Sequence, residues 1–132
     1  MGPDVIADDR VVFIVDDDAG VRSALELLVK SIGLPARAFG SGEEFLEAYD
    51  GREGSCVLLD VRMPGMSGFD VRQRLVAMGA QIPIIFLTAQ GTEEAPPGVG
   101  SVERIQKPFH DERLVRRIRE LAGAVGEPAA KR

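Results

Sequence analysis

Cysteine is nearly absent from this chain: Cys56 is the sole one in 132 residues, which excludes an internal disulfide and any thiolate metal cluster. Its place in an apolar run reads as a small buried hydrophobe. Tryptophan is missing and aromatics make up 5% of the residues, so the core must rest on Val, Leu and Ile. No apolar run approaches the roughly 20 residues of a membrane span. The acidic start "MGPDVIADDR" is unlike a signal peptide, so the expected location is the cytoplasm. A basic excess is lacking as well: 16 Lys and Arg stand against 21 Asp and Glu, a net charge of −5. Phosphate contacts need a basic surface, so direct nucleic-acid binding is not expected, although control of a DNA-binding partner is compatible.

What is present suits one soluble domain, with 45% hydrophobic and 28% charged residues. "RVVFIV" is a β-branched run ended by three aspartates and predicts a buried strand. Between Ala19 and Ile32, Val21, Leu25, Leu28, Val29 and Ile32 recur at helical spacing, and Gly33 is placed to stop the helix. "LPARAF" reads as a short strand, and Ser41 with Glu44 three residues on as a capping box. "CVLLDV" and "IPIIFLT" are further buried strands, with "VERIQ" a weaker fifth. Two more helices are expected: "FDVRQRLVAMG", with Val71, Leu75 and Met78 on one face, and a last one from about His110 to Ala122. Strands alternating with amphipathic helices imply βαβ units and a single-domain, flavodoxin-like, doubly wound five-stranded parallel sheet. The expected domain runs over 10–123, flanked by a tail at 1–9 and a tail or linker start at 124–132.

In such a sheet the functional crevice lies beyond the carboxyl ends of the strands. There the sequence sets Asp16, Asp17 and Asp18 after the first strand, Asp60 at the end of the third, Thr88 at the end of the fourth, and Lys107 after the fifth. Clustered carboxylates repel, and a cation is the usual reason to keep them together. An all-oxygen set favours Mg²⁺ or Mn²⁺ over zinc. A carboxylate beside such an ion can attack a phosphoryl group, while a lysine and a hydroxyl engage its oxygens.

"VDDD" before a helix, "LLDVRMPGMSG", "PIIFLTA" and "IQKPF", in this order, resemble the receiver domain of two-component response regulators over about Val11 to Leu121. "RMPGMSG" and "KPF" are most similar to receivers that precede LuxR-type DNA-binding domains. The resemblance implies that Asp60 is the phosphoacceptor, served by a sensor histidine kinase. Asp17 becomes a direct Mg²⁺ ligand, Asp16 a ligand largely through water, and Asp60 and the backbone carbonyl of Arg62 the remaining ligands to the metal. Thr88 becomes the switch hydroxyl and Lys107 its ion-pair partner, placed by a cis bond to Pro108. The chain is then a phosphoacceptor that promotes its own phosphorylation and dephosphorylation, not an enzyme, and Arg62 and Gln90 tune the decay. A homodimer or an effector domain is a further possible partner; a membrane is not.

Two departures from that pattern stand out. Arg104 occupies the switch position three residues before the lysine, where receivers commonly carry Tyr or Phe, so a swinging arginine is expected in place of an aromatic gate. Between Thr88 and Lys107 the chain is about one helical turn short, and Pro96, Pro97, Gly98 and Gly100 disfavour helix, so a short or irregular fourth helix is expected. Asp18 reads as a helix N-cap, Met63 and Met66 as loop packing, and His110 as a surface residue. The run Arg113, Arg116, Arg117 and Arg119 reads as a solvated face, with a partner surface the alternative. Three rivals are set beside the switch. A haloacid-dehalogenase-type phosphatase would need an acid where Arg62 stands, and a flavodoxin-like cofactor binder would need a phosphate-cradling loop where the aspartates stand. The third is a pseudo-receiver that binds partners without phosphorylation.

Overall fold

The structure, a computed structural model, describes residues 10–49, 51, 54–89, 103–107 and 111–126. The expected tail at 1–9, positions 127–132 of the tail expected at 124–132, the irregular fourth helix, Gln90, Pro108 and His110 lie outside the described residues, while 124–126 belong to the last helix. Five strands, β1 (Val12–Val15), β2 (Ala36–Phe39), β3 (Cys56–Asp60), β4 (Ile84–Thr88) and β5 (Glu103–Gln106), form one parallel sheet in the order β2-β1-β3-β4-β5. Among the described residues the helices are α1 (Ala19–Ser31), α2 (Gly42–Ala48), α3 (Gly68–Ala77) and α4 (Asp111–Gly126). This is the flavodoxin-like, doubly wound arrangement expected, with its switch in strand order between β1 and β3.

Both faces of the sheet are covered, which is why the central strands are apolar at every position before their carboxyl ends. On one face Leu25 and Val29 of α1 and Leu114 and Ile118 of α4 bury against Ile14, Leu58, Leu87 and Ile105. On the other, Phe45 of α2 and Phe69, Val71 and Leu75 of α3 bury against Phe13, Val15, Leu59 and Phe86. Each such side chain contributes roughly 1.5–3 kcal/mol by leaving water. The buried Cys56 belongs to the first of these clusters, and burial pushes its thiol up to about 12, so it is a core residue and no nucleophile.

The helix ends show why the chain turns where it does. Asp18 caps α1, accepting from the backbone N–H of Gly20 and Val21, and Gly33 (φ 86°) takes the left-handed turn after it. Ser41 caps α2 through the Glu44 N–H, but Glu44 Oε1 accepts from Gly40 instead of closing the box on Ser41. The complete capping box is at α3, where Ser67 and Asp70 satisfy each other's N–H. Two expectations are corrected. Met78 does not share the buried face of Val71 and Leu75; it is the C-cap of α3 and 51% exposed, since the chain leaves the helix at Gly79. The last helix runs on to Gly126, past Ala122, because a single Gly123 costs only about 1 kcal/mol in a helix already packed through Ala122.

Candidate functional site: an acidic pocket at the carboxyl edge

Because β1 and β3 are neighbours, their carboxyl ends meet: Val15 pairs with Leu59, one residue before Asp16 and Asp60. Thr88 ends β4, opposite Gln106, and its carbonyl accepts the Lys107 N–H at 2.7 Å. The register of three parallel pairings therefore gathers Asp16, Asp17, Asp60, Thr88 and Lys107 at one edge. One carboxylate oxygen each from Asp16, Asp17 and Asp60 lies within 4.8 Å of the others. Lys107 Nζ donates to Asp16 Oδ2 at 2.9 Å and lies 3.5 Å from Asp60 Oδ1.

The three aspartates differ in how firmly they are held. Asp16 is fully buried, and all its polar functions are engaged. Oδ1 accepts from the Asp18 N–H (2.9 Å), Oδ2 from Lys107, and the carbonyl from Arg22 Nη1 (2.8 Å), while its N–H donates to the Phe39 carbonyl (3.2 Å). Asp17 is exposed. Asp60 is only 5% exposed, yet its contacts among the described residues are long: Lys107 at 3.5 Å and the Arg62 N–H at 3.4 Å, both on Oδ1. Burial first, and then the charge of Asp16, push its carboxyl up to about 6, against the smaller pull of Lys107 and the Arg62 N–H. Burial lowers the Lys107 ammonium, but the hydrogen bond and charge of Asp16 and the charge of Asp60 outweigh it, and the net direction is upward.

When ionised, three carboxylates outnumber the cations placed against them among the described residues, Lys107 and, at the Asp16 carbonyl, Arg22, so the partly buried pocket stays negative. All the ligand atoms are hard oxygens, so the residues present fit a divalent ion such as Mg²⁺ or Mn²⁺. Thr88 is buried, at 1% exposure, on the same edge.

Arg104 is on β5 opposite Phe86, and its guanidinium lies over the Phe69 ring at 6.0 Å, with the Phe69 and Phe86 rings tilted against each other at a centroid distance of 4.8 Å. Arg113, Arg116 and Arg119 are exposed on α4, and the half-buried Arg117 is in addition held by two carboxylates. It bonds Glu103 at the start of β5 and Glu120 one turn on. Met63 is buried and Met66 half-buried in the core beneath the loop after β3.

Sequence reading missed three contributors. Gly68 packs so closely that a Cβ there would lie 2.4 Å from the Asp60 carbonyl oxygen, and its N–H holds the Val61 carbonyl. The glycine in "GMSG", followed by a helix, was a usable signal. Phe69 and Arg22 looked like ordinary helix residues, and only tertiary structure shows what they touch.

The sequence matches the model of the response regulator receiver domain over residues 12–119. It is 43% identical over 116 residues to the response regulator protein TmoT of Ectopseudomonas mendocina, covering 84% of this chain and 52% of that protein. It is 38% identical to the transcriptional regulatory protein FixJ of Bradyrhizobium diazoefficiens, covering 91% of this chain and 60% of FixJ. The crystal structure of a CheY-like receiver domain protein from Methanospirillum hungatei superposes with a TM-score of 0.78 at 31% identity, over 89% of this chain and 98% of that one. The chain thus spans about half the length of the curated relatives it matches. Among the described residues no helix is long and apolar enough to cross a membrane.

Proposed function

The chain belongs to the response regulator receiver domain family, and on that premise we propose that it is a cytoplasmic phosphorylation switch whose phosphoacceptor is Asp60. The observation that carries the assignment is the contrast among the three carboxylates. Asp16 has both oxygens engaged, and Asp17 is exposed to water that solvates its charge. Asp60 is buried, its contacts among the described residues are long, and burial raises its basicity, and the more basic oxygen is the better nucleophile. An Asp60 oxygen attacks phosphorus, the bond from phosphorus to the donor's leaving group breaks, and an acyl phosphate results. The donor is a phosphorylated sensor histidine kinase.

Asp17 would hold a divalent ion directly and Asp16 largely through water, and Asp60 and the Arg62 carbonyl would complete the protein's share. When bound, Mg²⁺ supplies positive charge to the transferring group. Lys107 moves from Asp60 to a phosphoryl oxygen, and the Thr88 hydroxyl donates to another. Phosphorylation replaces one carboxylate charge with roughly two phosphoryl charges. That surplus biases the edge toward whichever arrangement of Thr88 and Arg104 best meets it. Regulation of transcription through a further domain is the output that suits the relatives named above.

Incubation with acetyl phosphate, with and without Mg²⁺, followed by intact mass of wild type and Asp60→Asn, tests the assignment. The expected result is one Mg²⁺-dependent phosphoryl adduct, absent from the variant. An adduct that survives in Asp60→Asn would overturn it. So would Mg²⁺ binding with no adduct, which would leave partner binding without phosphorylation as the activity.

A further inference from the structure

Arg22 sits in the second turn of α1, away from every motif the family resemblance uses. It reaches back over the acidic loop, and its Nη1 donates to the Asp16 carbonyl at 2.8 Å. That carbonyl belongs to the peptide group joining Asp16 to Asp17. Fixing it fixes the plane on which the Asp17 side chain is mounted, and Asp17 is exposed, with no burial of its own to orient it. Space for the guanidinium is built in as well: a Cβ at Gly40, just after β2, would lie 3.2 Å from Nη1. The Gly40 N–H is in turn held by Glu44 Oε1 at 3.1 Å, so the glycine is anchored where it leaves room for the arginine.

From this geometry we infer that Arg22 is a positioning residue for the cation site, holding the Asp16–Asp17 peptide so that the Asp17 carboxylate is presented to the metal. This rests on the metal-site reading above. Outer partners that orient ligands typically change metal affinity by 10–100-fold when removed. The sign separates positioning from simple charge. Deleting a positive charge near three carboxylates would, through Coulomb attraction alone, tighten binding of a cation. Loss of positioning weakens it.

The test is a Mg²⁺ titration of the full chain followed by amide chemical shifts, for wild type, Arg22→Met, Arg22→Lys and Gly40→Ala. Arg22→Met is expected to bind Mg²⁺ about 10-fold more weakly. Arg22→Lys, which keeps a donor and the charge, should fall between it and wild type. Gly40→Ala keeps the arginine but displaces it by a few tenths of an ångström, and should weaken binding in the same direction by less than the roughly 10-fold of Arg22→Met. It also serves if Arg22→Met fails to fold. Unchanged or tighter binding in folded Arg22→Met, or in Gly40→Ala where the methionine variant does not fold, overturns the inference and leaves the metal site standing. Wild type that binds no Mg²⁺ overturns the metal-site reading and the inference with it.

Discussion

Replacing Asp60 by asparagine should make the metal-free protein more stable at neutral pH, although it removes the group on which the proposed activity depends. Burial and Asp16 raise the Asp60 carboxyl from 3.8 to about 6 in the folded state. Between those values the folded protein holds a proton that the unfolded chain has lost, so stability falls as pH rises. Above about 6 the cost of the ionised group is fully present; below 3.8 it is absent. At about 1.36 kcal/mol per unit the shift is worth up to roughly 3 kcal/mol. Local relaxation and water entry make about 1–2 kcal/mol the reasonable expectation for the neutral, nearly isosteric amide. For a domain of this size that is roughly 4–10 °C in Tm. Thermal melts by far-UV circular dichroism in chelator should therefore show the variant above wild type at pH 7.5, with the gap shrinking toward pH 4.5. Added Mg²⁺ should narrow the gap at pH 7.5, because it stabilises wild type more than a site lacking one of its carboxylates. A variant less stable than wild type at pH 7.5, or a gap that does not move with pH, would refute the reasoning.

Lys107→Met leaves the fully buried Asp16 carboxylate without its 2.9 Å partner. It should cost about 2–3 kcal/mol in urea denaturation, with part recovered in Mg²⁺, as breaking a buried ion pair is costly; an unchanged midpoint would count against the pair. Gly68→Ala must push its Cβ away from a backbone oxygen 2.4 Å distant and should lose roughly 1–3 kcal/mol. Gly123→Ala meets nothing within 4 Å inside α4 and should gain about 0.5–1 kcal/mol. The same denaturation series distinguishes the two. For Arg104 and Phe69, a double-mutant cycle with Arg104→Met and Phe69→Leu should return a coupling of about 0.5–1 kcal/mol; zero coupling would mean the ring and the guanidinium are merely adjacent.

Period and punctuation made the sheet legible. Apolar runs too short for helices, Gly33 and Gly79 at helix ends, and Ser41 and Asp18 at helix starts are all local signals, and each element they predict among the described residues is found. The carboxyl edge was legible for the same reason, since parallel βα order alone decides which end of every strand faces the site. What could not be read is what depends on distance through space. Met78 keeps the helical spacing of Val71 and Leu75, but spacing cannot say where the sheet beneath stops. Arg117 follows the arginine pattern of α4, yet Glu103, fourteen positions earlier in sequence, makes it a tie between helix and strand. The differing commitments of Asp16, Asp17 and Asp60, identical letters in the sequence, arise from Lys107, Arg22 and the Phe39 carbonyl, contacts that the aspartates' own neighbours in sequence do not announce.

Those long-range contacts close on themselves. Asp60 lies against Lys107, whose N–H is tied to the Thr88 carbonyl at 2.7 Å and which follows β5 directly. Three residues back along that strand, Arg104 rests over Phe69, and Phe69 follows Gly68, which sits on the Asp60 carbonyl itself. A change of charge on the Asp60 side chain therefore reaches β5 through Lys107, while a shift of its backbone reaches the same strand through Gly68 and Phe69. Adjacency is not coupling, and the Arg104–Phe69 cycle is the direct measure of whether the second arm carries energy. An arginine in that arm has a property an aromatic ring lacks: a charge that answers to the electrostatic balance of the pocket as well as to its shape. Screening then becomes the discriminating variable. Raising ionic strength should weaken a charge-driven response at exposed groups within about a Debye length, and should leave a response driven by packing around Phe69 and Phe86 where it was.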